Sequence, residues 1–377
     1  MSARKPILAL GLMSGTSCDG VDAALIETDG EAAIVCGPWL TRPYAPDFQA
    51  RLRATLGGPK GGQAGVEGVA RELTEIHAEA VQSLLTAHHV APSSVAVIGF
   101  HGQTILHEPH RRRTWQIGDG ALLARLTGID VVNDFRSRDV AEGGQGAPLV
   151  PLYHAALAAG LPRPLAVLNV GGVANVTWIG ERGVDGELLA FDTGPGNAML
   201  DDWALRHTGR PVDSGGSLAR AGRVNERALA ALLANPYFAR PAPKSLDRDA
   251  FDPAPLAALA AADGAATLVA FTAASVALSQ ALFPRPVQRW LVTGGGRHNP
   301  AVMAALGERL AAPVASVEAV GWQGDALEAQ AFAYLAVRSL HGLPLSVPGT
   351  TGVPRPLTGG RLHRSSGPVQ AARVEGK

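Results

Sequence analysis

Cysteine is nearly absent from this sequence: Cys18 and Cys36 are the only two in 377 residues. Two thiols make no disulfide framework, which excludes the cross-linked secreted scaffolds and points to a reducing compartment. Net charge is absent too. Lysine plus arginine and aspartate plus glutamate number 33 each, so no global field draws the chain to nucleic acid or to an anionic membrane. The basic run His110–Arg113 is short and reads as a solvated loop. No apolar segment is read as long enough to span a bilayer. The basic N-terminus leads into a brief apolar run with no small-residue cleavage site after it. A cytoplasmic protein is the expectation. His101, His107 and His110 match no helical or finger spacing of metal ligands, and they read as loop histidines.

What the chain does have is apolar residues, 46% of the total against 18% charged, together with 45 glycines. That composition is globular, and the length suits two domains better than one core. The glycines gather in four loops, each at the end of a short apolar run that reads as a buried strand. "GLMSGTSCDG" (Gly11–Gly20) lies between two such runs, a strand–loop–strand unit. It lacks the lysine and the following helix that a Walker-type phosphate loop needs. "LNVGGVANVTWI" (Leu168–Ile179) repeats the arrangement around Gly171 and Gly172. Hairpin tips of small residues let backbone N–H groups approach phosphate oxygens. In the other two loops, after Asp192 and at Gly294–Gly296, helices follow near Asn197 and Pro300. Helix N-termini offer free N–H groups and partial positive charge to an anion. Two strand–loop–strand units in the two halves of one chain suggest a duplicated scaffold with its ligand between the halves.

Asp192 is the candidate for chemistry. It reads as the last residue of a strand before the turn Gly194-Pro195-Gly196, where a carboxylate can act as general base on a water or hydroxyl. An Asx-turn is the structural alternative. Asp19 sits beside the expected phosphates, an unfavourable place for an acid unless a cation intervenes, and Mg²⁺ binds through few carboxylates with phosphate completing its shell. Capping of its own turn is the alternative there. Amides, an imidazole and acids cluster after strands at His101, Gln103 and Thr104, at Trp115, Gln116 and Asp119, and at Asn133, Asp134, Arg136, Arg138 and Asp139. Such a set suits a polyhydroxylated ligand. Arg240–Phe251 reads as an exposed, proline-rich segment, either a connector or a mobile flap from which Lys244 and Arg248 reach a phosphate or carboxylate. Glu328 falls in the first turn of a helix, a favourable place for any acid. Residues 364–377 lack periodicity, and disorder is expected.

These motifs resemble the anhydro-N-acetylmuramic acid kinases. The resemblance rests on "GLMSGTSCDGVD", "GFHGQTILHEP", "TWQIGDG", "VNDFRSRDVAEGGQGAPLVP", "LNVGGVANVTWI", "FDTGPGNAMLDDW", "VTGGGRHNP" and "GWQGDALEAQAFAYLA", in that order. It covers the chain from about Ile7 to about His363. It implies an α/β protein of two duplicated ribonuclease-H-like domains, the actin-like ATPase fold, around a central nucleotide cleft. The implied domains are 1–135 and 136–363. The implied reaction uses ATP with Mg²⁺ to phosphorylate O6 of 1,6-anhydro-N-acetylmuramate. Water opens the anhydro bridge in the same event, in the recycling of cell-wall sugars. Matched by motif, Gly15, Thr16, Ser17, Cys18, Asp19, Gly20, Val21 and Asp22 are the ATP phosphate loop, with Asp19 the metal contact. Gly171, Gly172 and Asn175 are the second phosphate hairpin, and Gly294, Gly295, Gly296 and Asn299 the nucleotide-side loop. Asp192 is the catalytic carboxylate. His101, Gln103, Thr104, Gln116, Asn133, Asp134, Arg136 and Glu328 are assigned to the sugar. Ala242–Phe251 departs from the family pattern, reading "APKSLDRDAF" where "PPKSTGREYF" is usual. A homodimer is expected, with no nucleic-acid or membrane partner. The rivals are another sugar or carboxylate kinase of the same superfamily and a non-catalytic nucleotide-dependent binding protein.

Overall fold

The computed structural model describes residues 4–15, 17–58, 64–183 and 187–365. Among them run the strands β1 (Ile7–Ser14), β2 (Gly20–Thr28), β3 (Ile34–Pro43), β4 (Val97–Glu108), β5 (Arg113–Ile117) and β6 (Val131–Asn133). They are followed by β7 (Leu165–Val170), β8 (Val173–Ile179), β9 (Leu188–Pro195), β10 (Trp290–Thr293), β11 (Val314–Ser316) and β12 (Arg361–His363).

The strands form two sheets. In the first the order is β3-β2-β1-β4-β6, with β12 added at the β6 edge and β5 paired to β4. In the second it is β9-β8-β7-β10-β11. Both begin with an antiparallel meander of three strands, and both then add two strands parallel to the first. Order and direction are therefore the same twice over. The expected α/β fold of two duplicated ribonuclease-H-like domains is what these sheets show. The strand–loop–strand units read from the glycines are the β1–β2 and β7–β8 hairpins.

The chain divides into two compact units, residues 1–141 with 328–345 and 357–377, and residues 142–327 with 346–356. This differs from the expected boundary at 135/136 in two ways. Residues 136–141 stay with the first unit, where Phe135 packs on Phe332 at 5.3 Å between ring centroids and the Arg136 side chain reaches His101. The helix Leu327–Leu340 also returns to the first unit, because it lies directly on β1 and β4. A Cβ on Gly11 would stand 1.7 Å from the Ala329 carbonyl oxygen, and one on Gly99 2.0 Å from that of Phe332. Only glycine in both strands admits the helix at that distance. Of the expected tail, Arg364 and Ser365 are held on Asp130, and residues 366–377 lie outside the described residues.

The second unit is built around the helix Ala261–Ser279, whose buried side includes Leu268, Phe271 and Val276. With its short 3-10 extension to Leu282 it is long and apolar enough to cross a membrane, with a mean hydropathy of 1.6, contrary to the sequence expectation. Two-thirds of it (67%) is buried inside the protein. It packs on β9 so closely that a Cβ on Gly194 would lie 2.4 Å from Ser275 Oγ. A core helix with both flanks covered is apolar all round for that reason alone.

Candidate functional site

In the second unit the sheet register assembles a polar row. Thr293 of β10 pairs with Asn169 of β7, Asn169 with Asn175 of β8, and Asn175 with Asp192 of β9. Residues directly opposite one another share a face, so these side chains stand together across four adjacent strands. The row lies at the carboxyl ends of the parallel strands β7 and β10, where open α/β sheets bind ligands. The glycine loops Gly171-Gly172 and Gly294–Gly296 leave the sheet at the same end.

Backbone contacts lock these loops. Asn197 N–H donates to Gly171 O at 2.7 Å, Gly196 N–H to Gly172 O at 3.0 Å, and Asn197 Nδ2 to Val170 O at 2.9 Å. The glycines then separate into two kinds. A Cβ on Gly196 would stand 2.0 Å from Gly171 O, and one on Gly294, where φ is +77°, 2.2 Å from Asn169 Oδ1. Packing alone demands glycine at these two positions, and a Cβ on Gly20 or Gly296 would also come within 2.5 or 2.4 Å of a neighbour. At Gly15, Gly171, Gly172 and Gly295 a Cβ would meet nothing closer than 3.5 Å. Packing does not require glycine at these four positions, and a backbone without a Cβ is open to close approach by another group. Asn299 accepts from the Ala301 and Val302 N–H groups as the N-cap of the helix Pro300–Arg309, so its side-chain oxygen is spent structurally.

Asp192 is not at the end of its strand, as the sequence suggested. β9 continues through Gly194 and Pro195, still paired with Ala174 and Val173, and the register shifts between Ala174 and Asn175. Such an irregularity re-aims the side chains beside it. Proline is tolerated because β9 is an edge strand. The half-buried Asp192 is gripped on three sides: Leu246 N–H donates to its Oδ2 at 2.7 Å, its own N–H donates to Lys244 O at 3.0 Å, and Tyr237 OH donates to its backbone oxygen at 2.5 Å. Burial, and then the Asp192 charge, push the Tyr237 phenol well up, so it remains a donor.

The reading of Arg240–Phe251 as an exposed segment holds for Arg240, Pro241 and Asp247–Ala250 but not for Lys244 and Phe251, which are buried. Lys244 is buried, its Nζ donating to the carbonyls of Tyr237 and Phe238 at 3.1 and 3.4 Å and lying 4.5 Å from the Tyr237 ring centroid. Burial, then Arg240, lowers its pKa. Arg248 pairs with Asp202 at 2.5 Å, and Ser245 Oγ donates to Gln145 Oε1 at 2.7 Å. The segment holds Asp192 in place through backbone groups, which no charge pattern announces.

In the first unit, the β1–β2 tip closes through Cys18 N–H to Gly15 O at 3.0 Å, with Cys18 at φ +52°. Ser17 Oγ donates to Asp19 Oδ1 at 2.7 Å. Thr16 lies outside the described residues. The Cys18 and Val21 side chains are in the core, so only their backbone could face a nucleotide, while the partly exposed Asp22 accepts from Thr41 Oγ1 at 2.5 Å. Burial pushes the Cys18 thiol up to about 11.

A cavity of about 340 Å³ is lined by residues of β4, β5, β6 and β12. Its lining includes His101, Gln116, Asn133 and Asp134, and adds Trp115, Asp119, Ser137, Arg361 and His363. His101 is buried; Nδ1–H donates to Gly102 O at 2.7 Å, and Nε2 accepts from Arg136 Nε at 3.1 Å. Burial, then Arg136, holds its pKa well below the usual histidine value. A neutral His101 orients the Arg136 guanidinium. Gln116 Nε2 donates to Thr104 Oγ1 at 3.2 Å and to Thr114 Oγ1 at 2.8 Å. Gln103 does not line the cavity. It is fully buried, its Oε1 taken by Ser14 Oγ at 2.6 Å, which in turn accepts from Tyr44 OH at 2.7 Å. That chain ties the end of β1 to β4. Glu328 is half-buried in the first turn of Leu327–Leu340 and is not among the cavity-lining residues.

Sequence reasoning missed Asn169 and Thr293, although Thr293 directly precedes one glycine loop and Asn169 lies two residues before another. It also missed Arg297, whose side chain is 3% exposed and bonds Glu318 at 2.9 Å, Asp325 at 2.7 Å and Gly294 O at 3.0 Å. Among the described residues no cluster of three or more His, Cys, Asp or Glu could cage a metal ion. The donor set fits Mg²⁺ in the manner of a nucleotide-bound ion, which needs one or two carboxylates and takes its other ligands from phosphate and water. Asp19, at an exposed hairpin tip, is such a carboxylate.

The anhydro-N-acetylmuramic acid kinase family model matches residues 7–364. The chain is similar to three proteins named anhydro-N-acetylmuramic acid kinase. That of Paramagnetospirillum magneticum is 62% identical over 95% of this chain and 99% of its own. That of Rhodospirillum rubrum is 61% identical over 98% and 97%. That of Acidiphilium cryptum is 58% identical over 94% and 98%.

Proposed function

The chain belongs to the anhydro-N-acetylmuramic acid kinase family, and on that premise we propose that Asp192 drives a coupled hydrolysis and phosphoryl transfer. ATP is the phosphoryl donor, and 1,6-anhydro-N-acetylmuramate is the acceptor at O6. The products are N-acetylmuramate 6-phosphate and ADP. The observation that carries the proposal is the Asp192 carboxylate, held by the Leu246 amide and standing in a row with Asn175, Asn169 and Thr293.

An ether oxygen has no proton to give up, so a base beside a hydroxyl would achieve nothing. Asp192 instead takes a proton from water as that water attacks the anomeric carbon. The bond from that carbon to the bridging oxygen breaks with its electron pair moving onto O6, and O6 attacks the γ-phosphorus as ADP leaves. The protein's remaining task is position and charge neutralisation. We assign phosphate contacts to the backbone at Gly15, Gly171, Gly172 and Gly295, where the missing Cβ has no packing role. Asp19 would hold Mg²⁺, which supplies neutralisation of phosphate charge when bound. A cytoplasmic setting, in reuse of cell-wall sugars, and a two-fold dimer complete the reading. Two-fold dimers are the commonest oligomers of such enzymes.

The test is mass spectrometry of the product made in ¹⁸O-labelled water with Mg·ATP. A ring-opened sugar phosphate labelled at the anomeric carbon is expected. An unlabelled anhydro-phosphate would remove the role given to Asp192.

A further inference from the structure

The cavity of the first unit is walled by one edge of its sheet. β12 runs antiparallel to β6 with Arg361 opposite Asn133. Opposed residues share a face, as do residues two apart in a strand, so Arg361, Asn133 and His363 stand on the same side. Gly120 closes the wall, since a Cβ there would lie 2.7 Å from the His363 ring.

The hydrogen bonds leave a defined set of donors. His363 Nε2 donates to Asn133 Oδ1 at 3.0 Å, an oxygen that can only accept. The Asn133 amide is thereby turned so that its two N–H donors remain for another partner. Burial, then the neighbouring Arg361, keeps His363 below its usual pKa and so neutral. Arg361 is exposed, and its side chain has no hydrogen bond or ion pair among the described residues. Among the described residues it is the only arginine or lysine lining the cavity. Two acids also line the cavity, each with one oxygen engaged by backbone: Asp119 Oδ1 caps the Ala121 and Leu122 N–H groups at 2.9 Å each, and Asp134 Oδ1 accepts from Ser137 N–H at 3.4 Å.

An unpaired guanidinium beside two fixed amide donors is a seat for a carboxylate. We propose that Arg361 and Asn133 bind the lactyl carboxylate of the muramic acid, with His363 as the positioning residue for Asn133. This rests on the reading of the protein as an anhydro-muramate kinase. It makes β12 the element that separates muramic from glucosamine sugars. The remaining lining, Gln116, Ser137 and the Trp115 ring, suits the uncharged sugar body.

The test is calorimetric binding to the full-length protein of 1,6-anhydro-N-acetylmuramic acid and of 1,6-anhydro-N-acetylglucosamine, which lacks the lactyl ether. The wild-type protein is expected to bind the muramic sugar more tightly. Arg361→Met should weaken that sugar by about 10- to 100-fold, the worth of one charge-assisted pair. The glucosamine constant should stay within about threefold, as for a surface change. Arg361→Lys should fall between, because it keeps the charge and loses the fork. Equal weakening of both sugars, or no change in either, overturns the carboxylate seat. So does a wild-type protein that binds the two sugars alike. A wild-type protein that binds neither overturns the kinase reading beneath it.

Discussion

Arg297→Met would cut a clamp beneath the loop Gly294–Gly296. The arginine side chain is 3% exposed, whereas its partners Glu318 and Asp325 are each 47% exposed. Methionine fills most of the volume, so the loss is chiefly electrostatic. A charge-assisted hydrogen bond is worth roughly 1.5–3 kcal/mol, but half-exposed acids rehydrate when the arginine leaves. Counting each at about 1 kcal/mol, with about 1 kcal/mol more for the bond to Gly294 O, gives a loss of about 3 kcal/mol at neutral pH.

The loss should depend on pH. Burial alone would raise the Glu318 and Asp325 carboxyls, but hydrogen bonds and the Arg297 charge outweigh it and hold both below their ordinary values. Groups with a depressed folded pKa contribute stability above their unfolded pKa of about 4 and lose it as pH falls through the folded value. Urea unfolding of wild type and variant should therefore differ most near neutrality and converge toward about pH 3. The KM for ATP should rise with little change in kcat, because the loop loosens while Asp192 is untouched. A stability difference below about 1 kcal/mol, or one unchanged down to about pH 3, would refute the clamp.

Two further outcomes follow from the same contacts. Asp192→Asn keeps an oxygen for the Leu246 amide but loses the base, so kcat should fall about 10²- to 10⁴-fold with KM little changed, read by coupled ADP assay. An unchanged kcat would place the base elsewhere. Asp201, in the first turn of the helix Ala198–Thr208, is pushed up to about 7 by burial and then by Asp202. A raised carboxyl costs stability as pH rises through the folded value, so Asp201→Asn should stabilise the protein by about 2 kcal/mol near pH 8, the solvent-exposed part of the group discounted. The gain should vanish below about pH 4, and equal melting curves at both ends of that range would show that Asp201 ionises freely.

Much of the scaffold is legible in the chain because the short apolar runs and glycine tips are local signals. The duplication follows from finding two strand–loop–strand units. What stayed hidden depends on register. Nothing near Asp192 reveals that Leu246 and Tyr237 hold it, since those residues meet it only after the segment 237–246 folds back along β9. Gly194-Pro195-Gly196 reads as a turn because proline usually stops a strand, and only the edge position of β9 permits otherwise. Gln103 looks like a ligand contact but is consumed by Ser14, a residue 89 positions earlier. β12 is three residues long, too short to show any period, so Arg361 and His363 carry no local mark of the cavity they wall.

The chain passes from one unit to the other at 141/142, 327/328, 345/346 and 356/357. This ordering has a consequence during synthesis. β1 and β4 leave the ribosome early, but the helix that fits onto Gly11 and Gly99 does not follow until residues 327–340, and the strand that completes the β6 edge comes later still. For most of translation the first sheet therefore has one apolar face uncovered and one edge unpaired, a state open to wrong partners. The second sheet has all its strands by residue 316. The half of the protein that is made first is the half that is finished last.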